Sequence, residues 1–366
     1  MSKIVISGYY GFANAGDEAM LTAIVRSLRQ AEESVDLTVI SGAPQNTASK
    51  HKVSSVHRFS PLEIYSVINN CDLLLSGGGS LLQDVTSKKS LLYYLAIIWL
   101  GKMLNKKVML FAHGIGPIRS GILRKLTKYV CGKADLITVR DTDSLVELER
   151  IGVASDKVRL TADAVLTLAQ ADKEQGLQSL KKFNVSQEKP LVAISVRSWG
   201  SSDKYLQEMA KAADALVEQN NVQIVLLPLQ YPADVTACRK LQQFMKEDAV
   251  ILDAAFDTEQ FLALMGNFSL LIGMRLHALI FAAVMEVPFI ALSYDPKIDG
   301  FVKEVEGTNI GAIENFVAED LVVAAQNVLK LENTSNERLA QLREKALENS
   351  QLAFEAAYGE VGISGS

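Results

Sequence analysis

Residues 4–30 read IVISGYYGFANAGDEAMLTAIVRSLRQ, and this stretch sets the fold class. An apolar run at 4–9 gives way to glycines at 8, 11 and 16. An amphipathic stretch with helical period follows at 17–30. Strand, glycine-rich turn and helix make one step of a parallel α/β layer, and the step recurs along the chain. Further short β-rich runs fall at 37–41, 73–76, 108–112, 136–139 and 158–160, with helical patterns at 91–104 and 142–151 among them. The strands are nearly all apolar, as expected where helices cover both faces of a sheet.

A polar segment at 170–189, ending at Pro190, reads as a domain junction. A second series follows, with strands at 191–196, 223–227, 250–252, 270–272 and 289–292. After Asn315 the sequence is helical and charged through Glu355, long enough to run back across the junction. The expectation is an α/β protein with two Rossmann-like parallel-sheet domains, 1–170 and 171–366. The helical tail is counted with the second, and the carboxyl ends of the strands face a cleft, where open parallel sheets bind ligands.

Composition narrows the class. The 366 residues are 49% hydrophobic, ample for a sizeable core, and a net charge of -5 gives no sign of a nucleic-acid partner. Cys71, Cys131 and Cys238 are odd in number and widely spaced, which reads as buried thiols in a reducing compartment. The amino terminus enters a strand without the pattern of a secretion signal. No apolar run reaches the roughly 18–20 residues of a membrane span, so a cytoplasmic location is expected. Residues 87–102 are apolar on most faces with lysines at both ends. They read as a buried helix, or else as a peripheral contact with the cytoplasmic membrane through Tyr93, Tyr94, Trp99 and the lysines.

The residues able to carry chemistry fall repeatedly just after a strand. In Gly8–Ala19, Asn14 supplies an amide, Gly16 lets the backbone approach a ligand, and Asp17 reads as a helix cap. The spacing matches neither GxGxxG nor a P-loop. Ser76-Gly-Gly-Gly-Ser80 reads as a flexible turn or as backbone bared to a ligand at Gly78 and Gly79. His113-Gly-Ile-Gly-Pro117 pairs an imidazole with a turn. Arg140 awaits an anion or an ion pair with Asp141 or Asp163. Val196-Arg-Ser-Trp199 ends the first strand of the second series.

In Gly273-Met-Arg-Leu-His277, Arg275 and His277 are one residue apart and face one side of an extended backbone. A helix is expected to start at Ala278 and run over 278–286. A guanidinium, a helix start and an imidazole together suit a phosphate or carboxylate with a proton transfer beside it; a structural histidine at a helix start is the plain alternative. Lys297, in Ser293-Tyr-Asp-Pro-Lys297, reads as a second cation or an ordinary exposed lysine. With four histidines, no HExxH and no Asp-x-Asp at a strand end, no metal site is expected. GxSxG is absent as well.

Together these motifs resemble the polysaccharide pyruvyltransferase family, in particular the bacterial branch that acts on the secondary cell-wall polymers anchoring surface-layer proteins. The resemblance rests on Asn14-Ala-Gly-Asp17, Ser76–Ser80, His113–Pro117, Val139-Arg-Asp141, Met274-Arg-Leu-His-Ala278 and Tyr294-Asp-Pro-Lys297, and spans residues 3–311. It implies a GT-B-like two-domain fold, with the acceptor and part of the donor site on the first domain and phosphoenolpyruvate on the second. The activity implied is formation of a pyruvate 4,6-ketal on a β-ManNAc residue of a lipid-linked precursor, with release of phosphate.

Phosphoenolpyruvate is then a co-substrate, and no cofactor is implied. By resemblance, Arg140, Arg275, Leu276, Asn14 and Gly16 bind the donor, and His277 and Lys297 are catalytic. Asp17, His113, Gly78 and Gly79 are candidates for the acceptor or the base. The chemistry fits: an enol ether becomes electrophilic at C2 once C3 is protonated, and His277 is the best-placed acid. A nucleotide-sugar glycosyltransferase of the same architecture and a non-catalytic glycan- or anion-binding protein are the alternatives.

Overall fold

The computed structural model describes residues 2–85, 87–186, 188–330 and 337–358. The chain divides into two compact units. Met1–Ala13, Asp17–Thr167 and Gln341–Ser366 form the first; Asn14–Gly16 and Leu168–Ala340 form the second.

The first unit runs β1 (Lys3–Ser7), α1 (Ala15–Ala31), β2 (Asp36–Ser41), α2 (Pro44–His51), β3 (Ser54–His57), α3 (Pro61–Asn69), β4 (Leu73–Ser76), β5 (Gly79–Leu82), α4 (Lys88–Met103), β6 (Lys107–Ile115), α5 (Gly121–Cys131), β7 (Leu136–Val139), α6 (Thr142–Ile151) and β8 (Val158–Leu160). Its sheet is parallel, in the order β3-β2-β1-β4-β6-β7-β8, with β5 paired to β6. Strand order reverses direction between β1 and β4, where Ser7 is in register with Ser76. A parallel sheet opens a crevice at such a switch point, beyond the carboxyl ends of the two strands. The loops carrying Asn14–Asp17 and Ser76–Gly79 leave from there.

Buried leucine, isoleucine and valine of these strands pack under α4, whose Leu91, Tyr94, Leu95, Ile97 and Ile98 are buried. Each such aliphatic side chain contributes about 1.5–3 kcal/mol. Gly101 lets α4 close on Leu74 and Val108. Tyr94 is therefore core, not a headgroup contact, while Leu92, Trp99 and Met103 are exposed. No helix among the described residues is long and apolar enough to cross a membrane.

The second unit runs α7 (Lys173–Lys181), β9 (Leu191–Ser195), α8 (Lys204–Asn220), β10 (Gln223–Leu226), α9 (Val235–Phe244), β11 (Ala249–Ile251), α10 (Thr258–Met265), β12 (Leu270–Gly273), α11 (Leu276–Val284), β13 (Phe289–Ser293), α12 (Pro296–Glu304), β14 (Thr308–Ala312) and α13 (Ala318–Lys330). Its sheet is also parallel, ordered β11-β10-β9-β12-β13-β14, with the switch point between β9 and β12. Ser195 and Gly273 are in register there, so the residues just beyond them, through Arg197 and Arg275, flank the crevice.

The last helix, α14 (Glu337–Tyr358), corrects the expected division: from Gln341 onward it groups with the first unit, not the second. Asn349, fully buried, accepts from the hydroxyls of Thr138 (2.6 Å) and Thr161 (2.9 Å) and donates to the Ala162 carbonyl (3.3 Å). Near the helix end Tyr358 meets Ser2 (2.5 Å) and Glu32 (2.7 Å). Of the tail expected to be helical, residues 331–336 lie outside the described residues. Three strands beyond those expected are present: β3, β5 and β14.

Candidate active site

On the first unit the site begins with the start of α1. Asn14 caps it, its amide oxygen accepting from the Gly16 N–H at 3.0 Å. This replaces the expected cap at Asp17, which lies instead half-buried in the first turn. Burial drives the Asp17 carboxyl up; the neighbouring charges of Glu18 and Asp163 raise it further and Arg140 pulls it down, leaving it at about 7. A carboxyl poised there exchanges protons near neutrality. Facing it is Gly79, at φ +95, a conformation that disfavours any side chain; a Cβ built there would sit 3.4 Å from Asp17 Oδ1. Gly78 answers to packing instead: its Cβ would meet Met20 Sδ at 2.7 Å and the carbonyls of Phe111 and Ala112 at 3.1 Å.

His113 is not in a turn but inside β6, fully buried, in register with Gly79 and Val139. Its Nε2 donates to the Ser76 carbonyl at 3.1 Å and lies 3.1 Å from the Ser76 hydroxyl. Burial pulls its pKa down to about 4, against the Ser76 hydrogen bond and helped by the Arg140 charge. The ring is therefore neutral at physiological pH and a weak base.

Arg140 leaves β7 buried and surrounded by its own unit. Nη1 bonds Asp163 at 2.8 Å, Nε bonds Asp141 at 3.3 Å and Nη2 bonds the Ser80 hydroxyl at 3.1 Å. Burial alone would lower its pKa, but the two carboxylates outweigh that and hold it above its ordinary value. One guanidinium between two carboxylates is the ion-pair arrangement. Arg140 positions Ser80, Asp141 and Asp163, and stands as the counter-charge felt at Asp17.

On the second unit α11 starts at Leu276, two residues earlier than expected, with Arg275 as its N-cap residue. Arg275 and His277 are therefore not paired on an extended strand; Leu276 and His277 form the first turn. Arg275 Nη2 bonds Asp234 closely and Gln230 at 3.2 Å, both from the loop after β10, and its buried Nε has no hydrogen-bond partner among the described residues. His277 meets the Asn14–Gly16 segment: a Cβ built on Gly16 would fall 2.2 Å from His277 Nδ1. Only glycine lets the imidazole lie against that backbone. Lys297 sits in the first turn of α12, whose cap Asp295 accepts from the Lys297 N–H at 3.1 Å.

A residue absent from the expected set stands out here. Arg197, just past β9, bonds the Tyr294 hydroxyl at 2.9 Å and lies 5.2 Å from the Tyr294 ring centre and 6.0 Å from that of Trp199. No carboxylate among the described residues pairs with it, and its Nε is buried without a hydrogen-bond partner. A guanidinium with a buried Nε and no carboxylate partner among the described residues, at a switch point, is a candidate for binding an anion. Its location after a strand end was visible in Val196-Arg-Ser-Trp199; that no acid neutralises it was not. Among the described residues no three His, Cys, Asp or Glu side chains are grouped to hold a metal ion.

The chain is similar to the amylovoran biosynthesis protein AmsJ of Erwinia amylovora, 22% identical with 83% of this chain and 86% of that protein covered. Its fold is similar to the UDP-GlcNAc 2-epimerase of Methanocaldococcus jannaschii, with a TM-score of 0.68, 15% identity, and 97% of this chain and 100% of that one covered. It is also similar to a glycosyltransferase from Rickettsia africae, with a TM-score of 0.62, 14% identity, and 98% and 96% covered. The fold class is thus α/β with two parallel-sheet domains, GT-B-like. The family model for polysaccharide pyruvyl transferases matches residues 14–296, more than half of the chain, and the chain belongs to that family.

Proposed function

We propose that this pyruvyl transferase takes phosphoenolpyruvate as donor and builds a 4,6-ketal on a β-ManNAc residue of a lipid-linked cell-wall polymer precursor, releasing phosphate. The observation that carries the mechanism is local. His277 packs against the Gly16 backbone, and the next residue in the chain is Asp17, whose carboxyl titrates at about 7. A carboxyl that exchanges protons near neutrality and an imidazole are the groups that deprotonation of a sugar hydroxyl and protonation of C3 require.

His277 donates a proton to C3 of the enol ether, making C2 electrophilic. One sugar hydroxyl, its proton taken by Asp17, attacks C2 and gives a tetrahedral adduct bearing a methyl group. The second hydroxyl then attacks C2 as the C2–O bond to phosphate breaks; the ring closes, and its proton leaves with phosphate. The donor carries a carboxylate and a phosphate, and Arg275, Arg197 and Lys297 are the cations assigned to them. Leu276, with the Asn14–Gly16 segment, shapes the donor side. Gly79 leaves open the approach to Asp17, and His113, neutral and buried, holds the Ser76 loop. Arg140 acts through Asp163 and Ser80.

The test is phosphate release from phosphoenolpyruvate in the presence and absence of a GlcNAc-ManNAc acceptor. Phosphate should be released only with both substrates present, with near-total loss in His277→Ala and the melting curve retained. Normal turnover by His277→Ala, or thermal stabilisation by UDP-sugars and not by phosphoenolpyruvate, would contradict it.

A further inference from the structure

Glu18 has no part in the reaction as described, although it is the residue next to Asp17. In the first turn of α1 an acidic side chain ordinarily accepts from the free N–H groups of its own helix. Glu18 reaches back instead: Oε1 accepts from the Gly11 N–H at 2.8 Å, seven residues earlier. Oε2 faces two basic side chains of α2, with Lys50 Nζ at 4.0 Å and His51 Nε2 at 3.9 Å. The side chain is only 13% exposed, so water competes little for these contacts. Burial works to raise the Glu18 pKa, but His51, the Gly11 N–H and Lys50 outweigh it and hold it below its ordinary value. The carboxylate is therefore ionised at neutral pH, and the bond to Gly11 is a charge-assisted one.

That bond closes the chain on itself between Gly11 and Glu18, and Asn14, Gly16 and Asp17 all lie inside the closure. The enclosed stretch does not keep its shape by local preference. Gly11 is at φ +81, and Ala13, which carries a Cβ, is also in the left-handed region, at φ 54. Such backbone persists only where its surroundings over-determine it. On one side the loop rests on the turn after β2: the Tyr10 carbonyl accepts from the Gly42 N–H at 2.9 Å, and a Cβ on Gly11 would fall 2.4 Å from the Ala43 nitrogen. On the other side Glu18 ties it to the helix that carries Asp17.

We infer that Glu18 is a positioning residue for pyruvyl transfer: its carboxylate clasps the Gly11 backbone and so fixes residues 12–17, keeping Asp17 and the Gly16 backbone that receives His277 in place. It acts through Asp17 and Gly16. The inference rests on the reading of the reaction above, which puts those residues in the site.

Two measurements on the full chain test it. Hydrogen exchange of a peptide covering residues 8–16, read by mass spectrometry without substrate, reports the clasp. Turnover of phosphoenolpyruvate with the GlcNAc-ManNAc acceptor reports the positioning. Glu18→Ala should speed exchange of that segment about tenfold or more and lower kcat about tenfold or more, with KM for phosphoenolpyruvate changed less than about threefold. Glu18→Gln keeps an oxygen for the Gly11 N–H and should recover kcat to within about threefold of wild type, which a general loss of fold would not allow. Exchange in Glu18→Ala equal to wild type removes the clasp, and an equal kcat removes its role; either result overturns the inference. So does a Glu18→Gln variant as slow as Glu18→Ala, or a raised KM with kcat kept, which would make Glu18 a donor-binding residue. A wild-type chain that leaves the acceptor untouched while Glu18→Ala loosens the segment would refute the reading of the reaction, and with it the role inferred for Glu18, but not the clasp.

Discussion

Replacing Asp17 by Asn isolates the group on which proton transfer turns. The folded chain holds this carboxyl at about 7, against a reference of 3.8, so the native state binds its proton more tightly than the unfolded chain does. Ionisation therefore destabilises the fold. The cost is absent below about pH 4, grows between pH 4 and 7, and levels off above. For a carboxyl raised this far, it reaches about 4 kcal/mol at pH 8. At pH 5 the group is still largely protonated in the folded chain, and the cost is less than half of that.

Asp17→Asn should thus be more stable than wild type by up to those amounts, with the gain widening from pH 5 to pH 8. The chain has two tryptophans, one in each unit, so a Trp199→Phe background leaves Trp99 in α4 to report unfolding of the first unit in urea. The same variant should lose activity. Wild-type kcat/KM should fall about tenfold per pH unit below about pH 7, a limb absent from the residual activity of Asp17→Asn. A stability difference that is the same at pH 5 and pH 8 would refute the assignment of a raised carboxyl.

Gly16→Ala should lower kcat about 100-fold, because the new Cβ displaces the His277 imidazole, while a helical Gly→Ala change on its own favours the fold. Unchanged turnover would remove His277 from that position. Arg197→Ala should raise KM for the anionic donor at least tenfold, the loss of one charge-assisted bond of about 1.5–3 kcal/mol, with little change in melting; an unchanged KM would exclude it from the donor site. Arg140→Ala strands Asp163 and Asp141 without their cation, so the first unit should lose about 3–5 kcal/mol, read as a lower melting temperature. Retained melting with a raised donor KM would instead mean that Arg140 binds the ligand directly.

Much of the scaffold was legible because a strand buried on both faces must be apolar throughout. Each of the eleven runs read from the sequence is a strand at nearly its expected place. The strands not foreseen lack that signature. Ser-Ser-Val-His at β3 and Thr-Asn-Ile-Gly-Ala at β14 are edge strands with polar, partly exposed residues, and β5 begins in the triple glycine, which reads as a turn until β6 supplies its hydrogen bonds.

The same divide runs through the site. That polar residues gather after strand ends was plain, and the switch points of the two sheets explain why. Which partner each finds was not, because it depends on side chains far away in sequence. Arg140 meets Asp163, Arg275 meets Asp234 over a separation of 41, and Arg197 meets no acid among the described residues. Asn14 competes with Asp17 for the α1 cap and wins, since it stands two residues before the first N–H to be capped. The tail's return to the first unit rests on Asn349, a single buried amide in a charged helix, which periodicity does not mark.

Mass spectrometry, with NMR of the product, on a lipid-linked GlcNAc-ManNAc acceptor incubated with the enzyme and phosphoenolpyruvate decides whether the ketal forms. The acceptor should gain one pyruvate less one water, bridging O4 and O6 of ManNAc, with one phosphate released per ketal and none of this in His277→Ala. An unmodified acceptor, or one extended by a sugar when a nucleotide sugar is supplied instead, would contradict it.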